Sequence, residues 1–61
     1  MDEEFLKKFV GESVSLWMAG CPEEFGGKLI AVDNGVAVLE WNDTHRNYLD
    51  AEMVIGVYAV I

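Results

Sequence analysis

A single cysteine, Cys21, stands in the 61 residues, so neither an intrachain disulfide nor a cysteine-only metal site can form. Small domains usually offset a marginal core with disulfides, a metal or oligomerisation, and the first of these is excluded. Histidine is also single, at His45, and Asp43 two residues earlier adds at most a second ligand. Two ligands do not complete a structural site, so no metal and no cofactor are expected. His45 reads as a solvated loop residue. Cys21, followed by the lone Pro22 in a polar stretch, reads as a loop thiol without a role.

Basic residues are scarce too: 4 Lys and Arg stand against 11 Asp and Glu, a net charge of −7. Proteins that grip nucleic-acid backbones neutralise phosphates with Lys and Arg, and this chain has little to do that with. Base-edge recognition and protein recognition stay open. No apolar run approaches the ~20 residues of a membrane span, and the acidic opening segment is unlike a signal peptide. A cytoplasmic protein without membrane contact is expected.

Catalytic constellations are equally thin. A nucleophile needs a base held by a third group, and nothing links Ser13, Ser15 or Thr44 to His45. The carboxylates run as Asp2-Glu3-Glu4, Glu23-Glu24 and singles, and paired acid–base work needs a cleft between them. No enzyme is expected.

What is abundant is apolar surface, at 52% of residues. A chain this short buries only about 60% of its unfolded surface, and one domain fills its whole length, residues 1–61. The excess points to a subunit interface.

Residues 2–10 read as a helix, with Asp2 as cap and Glu3 and Glu4 in the first turn. Lys7 and Lys8 follow each acid by four, and Phe5, Leu6, Phe9 and Val10 form one apolar face. Gly11 stops the helix. From there the period changes to two. Val14, Leu16 and Met18 alternate with Ser13, Ser15 and Trp17, as in a half-buried strand. Trp17 thus points outward, either as a partner contact or under the cover of the helix or a neighbouring subunit.

A loop over 20–24 leads through Gly26-Gly27 into a strongly bent strand, Lys28 to Asp33. Asn34-Gly35 is the strongest hairpin signal, because its residues tolerate positive φ. Val36 to Trp41 and His45 to Asp50 are further strands around the turn at Asn42-Asp43-Thr44, with Trp41 assigned to core or interface. Ala51 to Ile55 reads as a 3₁₀ turn, and the last strand runs from Gly56 or Val57 to Ile61. That strand carries no charge, and no Lys, Pro or bulge guards its edge, so something should pair with it. The expected fold is mainly β, a short helix and then a five-stranded, strongly bent small barrel over 12–61.

Phe9-Val10-Gly11 before Val14-Ser15-Leu16, and Phe25 to Asp33 with Gly27, Leu29 and Asp33 in fixed spacing, resemble the Sm-like (LSm/Hfq) superfamily of SH3-like barrels. Tyr48-Leu49-Asp50-Ala51 lies where Hfq carries Tyr-Lys-His-Ala. The resemblance implies a homo-oligomeric ring closed by strand pairing, with Tyr48, Leu49, Val57, Tyr58, Ala59 and Val60 at the subunit joint. It implies RNA as partner, with contacts at Asp33, Asn34, Tyr48 and Asp50. The chain departs from the family where RNA is held. Leu49-Asp50 replaces Lys-His, Gly35 stands where Hfq stacks a base, and the Arg-Gly of Sm proteins is missing. RNA binding is therefore expected to be weak. The alternative is an SH3-like interaction module whose acidic surface meets a basic protein.

Overall fold

A computed structural model describes residues 1–59 of the chain. Asp2 takes an extended conformation, and its carboxylate accepts a hydrogen bond from the Glu4 amide, capping helix α1 (Glu3–Lys7) as the sequence predicts. The helix is shorter than residues 2–10. After Lys7 the amides of Phe9 and Val10 reach back three residues, to the carbonyls of Leu6 and Lys7, so the chain tightens into turns. Gly11, with φ of +96°, then turns it into the sheet.

Only Leu6 of the expected apolar face is buried. Phe9 is half-buried against the core, while Phe5 and Val10 stay exposed. Five helical residues expose too few positions to one side for a full apolar stripe. The expected spacing of four between ion partners fails for the same reason. Lys7 pairs with Glu4 at 3.3 Å, Lys8 sits over the Phe5 ring, and Glu3 turns away to another element.

Five strands follow: β1 (Ser13–Met18), β2 (Glu24–Asp33), β3 (Val36–Trp41), β4 (His45–Asp50) and β5 (Val54–Ala59). They form one antiparallel sheet in the order β4-β3-β2-β1-β5, so β4 and β5 are its two edges. The bounds of β3 and β4 are those expected from the sequence. Strand β2 starts four residues earlier than expected, because Gly26 and Gly27, read as the entry to it, already pair with Ser15 and Val14 of β1. The 3₁₀ turn covers Ala51–Met53 alone, and β5 accordingly begins at Val54, ahead of the expected Gly56.

The core draws Val14, Leu16 and Met18 from β1, Leu29 and Val32 from β2, and Ala37 and Leu39 from β3. Leu6, Ala51 and Val54 complete it. A single flat sheet would be thin along one axis, whereas this body is nearly as deep as it is wide. The sheet is therefore curled around one core, in a body of 25 × 24 × 21 Å.

Gly27 makes the bend possible. A Cβ there would lie 2.9 Å from the Glu40 carbonyl oxygen, so only glycine lets β2 approach β3 this closely. A register shift between Leu29 and Ala31 adds a bulge just beyond it. Strand β5 also shifts register, opposite Trp17 and Met18, leaving Ile55 without a partner. Its edge is thus not wholly unguarded, as the sequence suggested: it carries a bulge at one end and runs regularly from Gly56 to Ala59. Val60, expected at the subunit joint, and Ile61 lie outside the described residues.

Candidate functional site

The hairpin turn gathers the candidate residues. Asn34 and Gly35 take φ of +50° and +81°, the left-handed pair a type I′ turn needs, as the sequence predicts. The Gly35 amide donates to the Glu3 carboxylate of α1, and its carbonyl accepts from the Ala51 amide at 2.8 Å. Gly35 therefore ties the helix, the β2–β3 turn and the 3₁₀ turn together.

Through this tie Asp33, Asn34 and Asp50 meet at one end of the molecule. Asp33 and Asp50 lie opposite Val36 from its two sides, on β2 and β4. The Asn34 amide reaches the Asp33 carboxylate at 3.5 Å, and Asp50 accepts from the Glu52 amide at 3.0 Å, capping the 3₁₀ turn. With Glu3 and Glu52 beside them, this end holds four acidic residues against one cation, the Met1 ammonium on the Ala51 and Glu52 carbonyls. Its electrostatic character is anionic.

Tyr48 lies two residues before Asp50 on the same face of β4 and is 66% exposed. Arg46 precedes it by two more and bonds Glu40 across the strands at 3.1 Å. That bond, and secondarily the Tyr48 hydroxyl, raises the guanidinium pKa above its usual value. The chain's one arginine is thus engaged. Leu49 faces the other way and packs against the core, half-buried. Its partners in the expected joint, Val57, Tyr58 and Ala59, lie on β5 at the opposite edge of the same sheet.

The structure also places four further residues singled out in the sequence. Trp41 is 42% exposed and outside the core, its ring stacked on His45 at 4.6 Å between centroids. His45 opens β4 and is no loop residue, and its Nδ1 lies 3.0 Å from Thr44 Oγ1, a link that was not expected from the sequence. Its pairing with Trp41 follows from the β3–β4 register, which short-range patterning does not show. Cys21 is a free thiol, half-buried against the core. Trp17 is exposed by 41% and helix α1 does not cover it: its indole leans over Gly56 of β5, 3.6 Å from where a Cβ would stand.

Among the described residues, no three His, Cys, Asp or Glu side chains are placed to hold a metal ion. No helix among them is long and apolar enough to cross a membrane.

The hairpin tie gives a direct stability test. Gly35→Val places a β-branched residue at φ of +81° and is expected to cost roughly 1–3 kcal/mol. Urea denaturation of the two proteins measures it, and an unchanged midpoint would remove the positive-φ turn.

A short capped helix, five antiparallel strands in one curled sheet, and an anionic cluster at a hairpin define a small, mainly β domain. The chain belongs to the family described as a domain of unknown function (DUF6897), whose profile matches residues 1–60. No curated protein and no solved structure matches it.

Proposed function

We propose that this chain is a non-enzymatic binding module of Sm-like type whose copies join edge to edge into a homo-oligomeric ring. One observation carries the reading. The two strands that the resemblance assigns to the subunit joint, β4 and β5, are the two edges of the sheet, six residues each. Strand β5 of one copy laid along β4 of the next makes a head-to-tail contact, and repeating such a contact can close a ring.

The surface supports it. Tyr48 on one edge and Ile55 and Tyr58 on the other are half to two-thirds exposed, and β5 bears no charge to repel a neighbouring strand. The regular stretch Gly56–Ala59 offers the pairing length, with Val57 and Tyr58 at its centre.

Light scattering at micromolar concentration should give a particle of several 6.8 kDa subunits. Ile55→Lys adds a natural edge guard at an exposed position and should release smaller species. A 6.8 kDa particle from the native chain would overturn the ring.

RNA is the partner that the resemblance suggests, and the end where it would bind is anionic. Repeated around a ring, Asp33 and Asp50 repel phosphate and each other. Oligo-uridine should therefore bind no more tightly than about 10 μM at physiological salt, the range of unspecific contact. Asp33→Asn with Asp50→Asn removes the charge, keeps an oxygen for the Glu52 amide, and should strengthen binding. Fluorescence anisotropy measures both, and nanomolar binding by the native protein would refute the weak-binding claim. The same four carboxylates favour a second reading, in which the acidic surface meets a basic protein.

A further inference from the structure

On the outward face of the sheet, the registers place two rows of residues side by side. Gly56, Trp17 and Glu24 form one row across β5, β1 and β2, and Tyr58, Ser15 and Gly26 form the next. Trp17 leans towards Gly56. The Tyr58 side chain crosses diagonally between the rows, and its hydroxyl donates to Glu24 Oε2 at 3.3 Å. Ser15 beneath it is only 7% exposed, whereas the two rings are 41% and 50% exposed. Gly26 carries no side chain, and the Trp17 indole lies over Gly56. An exposed carboxylate, Glu24, closes one end, with exposed Glu23 next to it.

We infer that this surface patch binds an arginine side chain presented by an extended segment of a partner protein. A guanidinium is flat, stacks on aromatic faces, and offers paired donors to a carboxylate. Here two aromatic rings and a carboxylate lie within one side chain's reach of each other. Lysine lacks the flat face and fits less well. Phosphate-bearing RNA meets Glu23 and Glu24 at the site and a net charge of −7 over the chain, so charge complementarity selects a cationic peptide. A second copy of this chain is a poor donor, because its one arginine already bonds Glu40. Trp17 and Glu24 lie on β1 and β2, inside the sheet, while Gly56 and Tyr58 lie on edge strand β5.

The test uses Trp41→Phe as background, which leaves Trp17 as the only indole. Its emission is followed against three probes: a blocked octapeptide of alternating Arg and Gly, the same peptide with Lys, and an eight-residue oligo-uridine. The arginine peptide should give a saturable change, and the lysine peptide should bind about three- to tenfold more weakly. By calorimetry, Trp17→Ala and Glu24→Gln should each weaken the arginine peptide by a similar factor, while Trp17→Phe keeps part of the affinity. Glu24 is exposed, so Glu24→Gln keeps the test valid should Trp17→Ala fail to fold. Equal affinity in Glu24→Gln and the native chain would mean unspecific attraction and overturn the proposal. So would oligo-uridine binding more tightly than the peptide, or an absence of saturable peptide binding.

Discussion

Gly27→Val is expected to remove a large part of the domain's stability. The β-carbon would stand 2.9 Å from the Glu40 carbonyl oxygen and 3.3 Å from its carbon, both backbone atoms of the neighbouring strand. Backbone cannot swing aside as a flexible side chain does. The φ of +155° adds conformational strain for any residue with a side chain. Overpacking and strain together cost roughly 3–5 kcal/mol. A domain of 61 residues holds only about 3–9 kcal/mol in total, at ~0.05–0.15 per residue. Gly26→Ala is the control. Its β-carbon would meet Ser15 Oγ at 3.8 Å and the Val14 oxygen at 3.9 Å, ordinary contacts, so its melting curve should move little. A Gly27→Val protein that melts with the native one would show that β2 does not approach β3 at this point.

Leu16→Ala should be nearly as damaging. Leu16 is fully buried at the centre of β1, with Phe25 opposite on β2 and Val57 opposite on β5. Removing its branched end takes away transfer energy and leaves a cavity that three paired strands cannot collapse. The cost is about 2–5 kcal/mol. Val36→Ala, at an exposed site on β3, should stay within about 0.5 kcal/mol. Urea midpoints compare the three proteins at one fixed concentration, because assembly would add its own concentration-dependent stability. Equal midpoints for Leu16→Ala and Val36→Ala would contradict the core described above.

Local chemistry explains which elements were legible. Asn34-Gly35 can turn in few other ways, so the hairpin and the strands beside it follow from neighbours in the chain. The Asp2 cap and the positive-φ turn at Gly11 are equally local, although the helix itself stops at Lys7. Gly26 and Gly27 misled in the opposite direction. Glycine is depleted in strands, so the pair reads as the bent entry to β2, and its place within the strand shows only once β1 supplies its partners. The length of α1 was overread because the apolar spacing of Phe9 and Val10 continues past the point where the chain tightens. Helix–sheet docking sets that point, and residue spacing does not encode it.

The candidate site divides along the same line. That Asp33, Asn34 and Asp50 would meet was expected through the family resemblance, and the hairpin tie brings them together. The Tyr58–Glu24 bond spans 34 residues and the Trp41–His45 stack depends on the β3–β4 register. Neither leaves a signature in residue spacing, because each exists only once the strands are in register.

The double attachment of Gly35 has a consequence for motion. A helix of five residues does not persist alone, so α1 is held by what it docks on. One of those holds is the Gly35 amide on Glu3, and the same residue's carbonyl anchors Ala51. Peeling α1 away therefore bares the Gly35 amide and loosens the hairpin that also restrains the 3₁₀ turn. These three segments, distant in sequence, open as one cooperative unit. In deuterium exchange the Gly35 and Ala51 amides would lose protection together, at a free energy below that of the β1–β2–β3 centre.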